Sequence, residues 1–159
     1  MNRKIIFTFP IFFLFVILIN SCKSTKAVAD KITIESGEIP PDMKNEKFTI
    51  IGVLHGKDSY DKYVEKEFSE YTGKYVLATY PEIKAKYTDS LKYRYIMDCF
   101  EIVTESYDDK SLSRRKYSVG YRYFITDRKT DVTYKRKQKS GFFALEMKAY
   151  LKAIEAVRK

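Results

Sequence analysis

The chain has one histidine and two cysteines in 159 residues, and that scarcity narrows the chemistry open to it. Any Ser-His-Asp or Cys-His relay would have to use His55. The Gly-x-Ser-x-Gly elbow and other nucleophile motifs are missing. So are a Cys/His cluster of the kind that holds structural zinc and a glycine loop that cradles phosphate. No cofactor, no metal and no catalytic residue is therefore expected. His55 does follow a strand end, where active-site residues often sit. Its acidic neighbours Asp58 and Asp61 are read as helix N-terminal carboxylates favoured by the dipole. Carboxylates are plentiful, but no pair is singled out for glycoside hydrolysis. Internal repeats and low-complexity segments are also absent.

What is present begins with the address. Met1-Asn2-Arg3-Lys4 is a short positive segment, and residues 5–19 are apolar apart from Thr8 and Pro10. A helix of that length reaches about 22 Å, short of a bilayer core of about 30 Å. The run therefore has the length of a secretory signal, and Pro10 suits a cleaved one. Ile19-Asn20-Ser21-Cys22 then resembles the lipobox of bacterial lipoproteins. The resemblance implies cleavage before Cys22, a diacylglycerol on its sulfur and acylation (palmitate or similar) of the new N-terminus. Such a multiply acylated residue is a lasting anchor. Lys23, in place of an aspartate, points to the outer membrane of a Gram-negative envelope, with the domain facing the periplasm. The chain then divides into a signal peptide (1–21), a lipidated flexible tether (22–46, polar and carrying Pro40-Pro41) and one domain (47–159).

Charge is unevenly spread. Residues 22–109 hold 13 Lys and Arg against 17 Asp and Glu, whereas residues 110–139 hold 11 against 2. Nucleic acid does not fit this address. An acidic protein surface, an acidic glycan or anionic headgroups do. The alternative is a solvated sheet face that uses lysine for solubility and edge protection. If the strands on either side of the Asp127 turn pair antiparallel, Arg114, Arg115 and Lys116 approach Lys135, Arg136 and Lys137, and the six form one anion- or partner-binding patch. Cys99, within Ile96-Met97-Asp98-Cys99-Phe100, reads as a small buried hydrophobe without a disulfide partner. The tyrosines read as core and rim aromatics, or as a contact surface formed by Tyr93, Tyr95, Tyr121, Tyr123 and Tyr134.

Patterning gives the element order. Residues 48–54 are a continuous β-branched run, as in a strand buried on both faces. Tyr60, Tyr63, Val64, Phe68 and Tyr71 form one helical stripe, with Gly73 at the stop. A second strand (74–80) runs into Pro81 and a short helix. Two long β-rich runs (92–103 and 116–126), a turn at 127–130 and a strand at 131–139 follow. Phe143, Met147, Tyr150, Leu151 and Ile154 stripe the last helix. The expected fold is α+β in the order β-α-β-(α)-β-β-β-α. It is a mainly antiparallel sheet of about five strands with both longer helices on one face.

This order resembles the periplasmic α+β domain shared by the curli secretion channel lipoprotein and the lipoprotein activators of penicillin-binding proteins. Residues 48–54, 59–72 with Gly73, 75–80 with Pro81-Glu82-Ile83, and 93–102 take the places of that domain's elements. Tyr121 to Thr130 resembles its strand and turn, with Asp131 standing where the family carries glycine. The resemblance implies a protein partner such as a cell-wall synthase or a secretion or assembly complex. The function expected is thus a membrane-anchored, non-catalytic binding or accessory module. The alternative is an envelope enzyme such as a glycan hydrolase.

Overall fold

A computed structural model of the chain describes residues 25–44, 47–107 and 115–158. The stretch read as a lipobox, with Cys22, and Arg114 lie outside them. Among the described residues no helix is long and apolar enough to cross a membrane.

The elements are α1 (Thr25–Ala29), a 3-10 turn (Pro41–Lys44), β1 (Thr49–Leu54), α2 (Asp58–Ser69), β2 (Lys74–Thr79), α3 (Tyr80–Lys86), β3 (Tyr95–Tyr107), β4 (Arg115–Asp127), β5 (Val132–Lys135) and α4 (Phe143–Arg158). The five strands form one sheet in the order β2-β1-β3-β4-β5. The sheet is mixed rather than mainly antiparallel: β1 pairs in parallel with both β2 and β3, while β3–β4 and β4–β5 are antiparallel. The cause lies in the connections. A helix between consecutive strands returns the chain to the starting end of the sheet, so the next strand runs parallel.

Handedness then assigns the faces. The chain steps from β1 to β2 in one direction and from β2 to β3 in the other. Right-handed crossovers must therefore lie on opposite faces. Val64 and Phe68 of α2 and Met147, Tyr150, Leu151 and Ile154 of α4 pack with Ile50, Tyr95, Met97, Tyr123 and Ile125 in the main core. The two longer helices thus share a face. Ile83 of α3 packs with Ile51, Val53 and Ala78 on the other. Gly52 permits the close approach of α2: a Cβ there would lie 2.6 Å from the Phe68 ring and 2.8 Å from Leu77.

Residues 25–44, within the stretch read as a tether, are part of the domain. Ile32, Ile39 and Met43 are buried in the main core, and two clusters of buried charge fasten the segment. Arg136 donates to Glu38 at 2.8 Å and to Glu146 of α4 at 2.7 Å. Arg94 donates to Asp127 at 2.8 and 2.7 Å and also reaches Asp42. Tyr150 donates its hydroxyl to the Glu38 carbonyl. The sequence pattern hid this packing because its apolar residues follow neither a helical nor a strand period. Asp131 has a left-handed backbone with φ 56°, which aspartate adopts more readily than most residues.

Candidate functional site

Ligands of open sheets with parallel strands collect beyond the strands' carboxyl ends, where the connections diverge. Here that point lies between β1, whose chain leaves toward β2, and β3, whose chain leaves toward β4. The residues gathered there come from all three parallel strands: His55 just after β1, Tyr80 just after β2, and Asp98 and Cys99 on β3.

The local geometry follows from the length of β1. Adjacent strand residues point to opposite faces, so Asp98 and Cys99 would ordinarily be separated by the sheet. Parallel pairing of β1 with β3 ends at Gly52 opposite Met97, and β1 itself stops at Leu54. Beyond that point β3 has a vacated edge on this side, and His55 bends into it. His55 Nε2 lies 2.7 Å from Asp98 Oδ1. Tyr80 donates its hydroxyl to Asp98 Oδ2 at 2.7 Å, and the Cys99 amide donates to Asp98 Oδ1 at 2.6 Å. The Asp98 side chain is 6% exposed and that of His55 34%, so the pair is buried at the carboxylate and open at the imidazole. Asp61 of α2 accepts from the His55 and Lys57 amides at 2.9 and 3.0 Å. It fixes the turn that aims the ring, as well as sitting in the first turn of its helix.

On the helix side the same residues border a cleft of about 80 Å³ lined by His55, Lys57, Tyr60, Cys99, Glu101 and Tyr121, with Phe143. Tyr60 and Tyr121 share a hydroxyl–hydroxyl hydrogen bond of 2.7 Å, and Phe143 packs edge-on against both rings. That shared bond, with burial, pushes the Tyr60 hydroxyl up to about 12. Burial first, and then the Asp98 carboxylate, pushes the Cys99 thiol up to about 12. Burial and the bond to Asp98 likewise raise Tyr80. At neutral pH Cys99 is a protonated, weakly nucleophilic thiol. His55, Asp98 and Cys99 each offer one ligating atom, and these atoms lie within 4.8 Å of one another. The arrangement can hold a cation, or hold a proton between imidazole and carboxylate.

The basic patch expected from the sequence is not assembled as expected. Arg136 is buried between Glu38 and Glu146. Lys135 and Lys137 are exposed, but Lys135 lies opposite Phe124, while Lys116 pairs with Ser106 near the far end of β3. Eight strand positions separate the two along β4, about 27 Å. The clusters stay apart because Lys135 lies three positions from the turn pair Asp127–Val132, whereas Lys116 lies eleven positions from it. Arg115 and Lys116 open β4 on the opposite strand of the hairpin. Lys139 instead lies over Gly120, donating to Thr104 at 2.6 Å.

Sequence reasoning reached His55 as a strand-end residue but missed its partners. One signal was available. Asp98 interrupts the apolar run Ile96-Met97-Asp98-Cys99-Phe100, and a carboxylate inside a buried strand must find a partner. No protein-family model, curated protein or solved structure matches the chain.

Proposed function

We propose that this is a lipid-anchored envelope module that binds an acidic protein partner along its β3–β4 hairpin and performs no chemistry of its own. The observation that carries the reading is the hairpin's helix-side face. β3 runs on from Met97 to Tyr107 after its pairing with β1 has ended, and among the described strands only β4 accompanies it. Along this arm Glu101 faces Tyr121, Val103 faces Val119, and Glu105 faces Tyr117. Val103, Val119 and Tyr117 are 57%, 47% and 60% exposed. They continue the plane of the core face past the point where α2 and α4 cover it. The ribbon therefore runs straight into the cleft at Tyr60 and Tyr121, giving one continuous surface with an aromatic end.

Exposed apolar patches bordered by polar residues mark interaction sites. Glu101 lies on this face, and the basic charge lies to its other side: Lys139 crosses the reverse face of the arm, and Lys135, opposite Phe124, and Lys137 are exposed nearer the Asp127 turn. An acidic partner gripping the arm would meet apolar area on one side and ammonium groups on the other. The order of the elements and the left-handed turn at Asp131, in the glycine position of the periplasmic lipoprotein domain named above, support an accessory role of that kind. Crosslinking in native envelopes tests it. The parent chain should capture one dominant acidic protein, and Val103→Glu with Val119→Glu should abolish capture at unchanged thermal stability. Undiminished capture by that double variant would overturn the reading.

A further inference from the structure

We propose that His55, Asp98 and Cys99 form a binding site for a borderline-soft divalent cation of the zinc type, with a fourth position open to the cleft. The proposal is independent of the docking surface on the hairpin. Three features of the geometry carry it. The donor set is imidazole nitrogen, carboxylate oxygen and thiol sulfur, with all three atoms within 4.8 Å of one another. Ligand bonds of about 2.0–2.3 Å from one zinc ion place tetrahedral donors roughly 3–4 Å apart, so the ion fits after small side-chain rotations. Nitrogen, oxygen and sulfur together suit zinc better than the all-oxygen cations, calcium and magnesium.

The outer partners of a ligand set are also in place. Tyr80 holds the second oxygen of Asp98 at 2.7 Å, and the Cys99 amide holds the first. Ligating carboxylates in metal sites are held by such hydrogen bonds. Asp61 fixes the His55 backbone. The fourth direction faces the cleft, which Lys57 and Glu101 also line. On binding, Nε2 and Sγ become ligands. The imidazole proton leaves Nε2, where it faces Asp98 Oδ1, and is replaced by one taken from solvent at Nδ1, and the thiol releases its proton to solvent.

The chain suits a direct spectroscopic test, because it holds one histidine and, in a Cys22→Ser background, one thiol. Full-length Cys22→Ser protein in detergent is titrated with Co²⁺ and then with Zn²⁺. The expected result is one cobalt ion per chain, a sulfur-to-cobalt charge-transfer band, and displacement by one equivalent of zinc. Cys99→Ser should lose the band. His55→Ala, at an exposed position, should weaken binding at least tenfold at unchanged far-UV dichroism. Tyr80→Phe should keep the band and weaken binding about tenfold, as outer partners of metal ligands do. Titration without a charge-transfer band, or zinc affinity unaltered in His55→Ala and Cys99→Ser, would overturn the proposal.

Discussion

Two groups of buried charge sit on the same sheet and serve opposite ends. Arg94 and Arg136 are closed in by carboxylates from the N-terminal segment, the Asp127 turn and α4. Each guanidinium bridges two carboxylates, and both are almost fully shielded from water. Asp98 is as well buried, but its ring partner His55 opens onto solvent and its other neighbours are a tyrosine hydroxyl and a peptide amide. The first group fastens the chain, although Asp42 on Arg94 is 51% exposed. The second is left open at its imidazole, 34% exposed. Neither burial of charge nor an exposed partner alone marks function. What sets the second group apart is its donor set, an imidazole beside a carboxylate and a thiol.

The sharpest test removes one member from each group. Arg136→Ala leaves Glu38 and Glu146 buried without a counter-charge, and should cost about 3–5 kcal/mol in denaturant unfolding. His55→Ala should cost under about 1 kcal/mol in the same assay. Equal costs would erase the distinction. Packing beneath the fastened segment gives the next effect: Ile39→Ala and Met43→Ala, both fully buried, should each destabilise by about 2–5 kcal/mol. A freely moving tether would show no change.

Acid sharpens the contrast further. Burial pushes the Asp127 carboxyl up, but the Arg94 guanidinium and the Lys129 amide outweigh it and hold it below its ordinary value. A carboxyl depressed on folding adds stability above its unfolded pKa, about 3.9, and that stability is lost as pH falls through the folded value. Stability should therefore drop below about pH 4 in the parent, and the drop should be smaller in Arg94→Met. Urea midpoints measured between pH 6 and 2.5 decide this. At the open site the sign reverses. Asp98→Asn removes a negative neighbour that raises the Cys99 thiol, so alkylation of Cys99 at pH 8.5 should be faster than in the parent by several-fold, both measured in Cys22→Ser chains. The smallest effect is expected at the turn: Asp131→Gly relieves a positive φ and should stabilise by about 0.5–1 kcal/mol.

Much of the element order was legible in the chain because it rests on periodicity and punctuation. Gly73 and Pro81 bracket β2, and the stripe from Tyr60 to Phe68 announces α2. Strand direction was less visible, although the helix between β1 and β2 already implied parallel pairing. The role of Arg136 was hidden because its partners lie 98 and 10 residues away, and a count of local charge assigns every arginine to the surface. The site was hidden for a related reason. Asp98 and Cys99 should face apart, and only the early end of β1 lets His55 reach both.

The packing of residues 25–44 also limits reach. Lys23 and Ser24 alone separate Cys22 from α1, a contour of about 10 Å at most. With lipid on Cys22, the domain could not swing on a leash; it would rest against the bilayer with a set orientation. The surface near that anchor is the groove between α1 and the last turns of α4, lined by the lysines Lys26, Lys44 and Lys152 against Asp30 and Glu35, a net of one positive charge toward anionic headgroups. The first turn of α4, by contrast, packs through Phe143 against Tyr60 and Tyr121, about 14–21 Å further along the helix. Anchored this way, the molecule would hold its base to the membrane and aim the cleft and the β3–β4 arm outward, toward whatever crosses the space beyond.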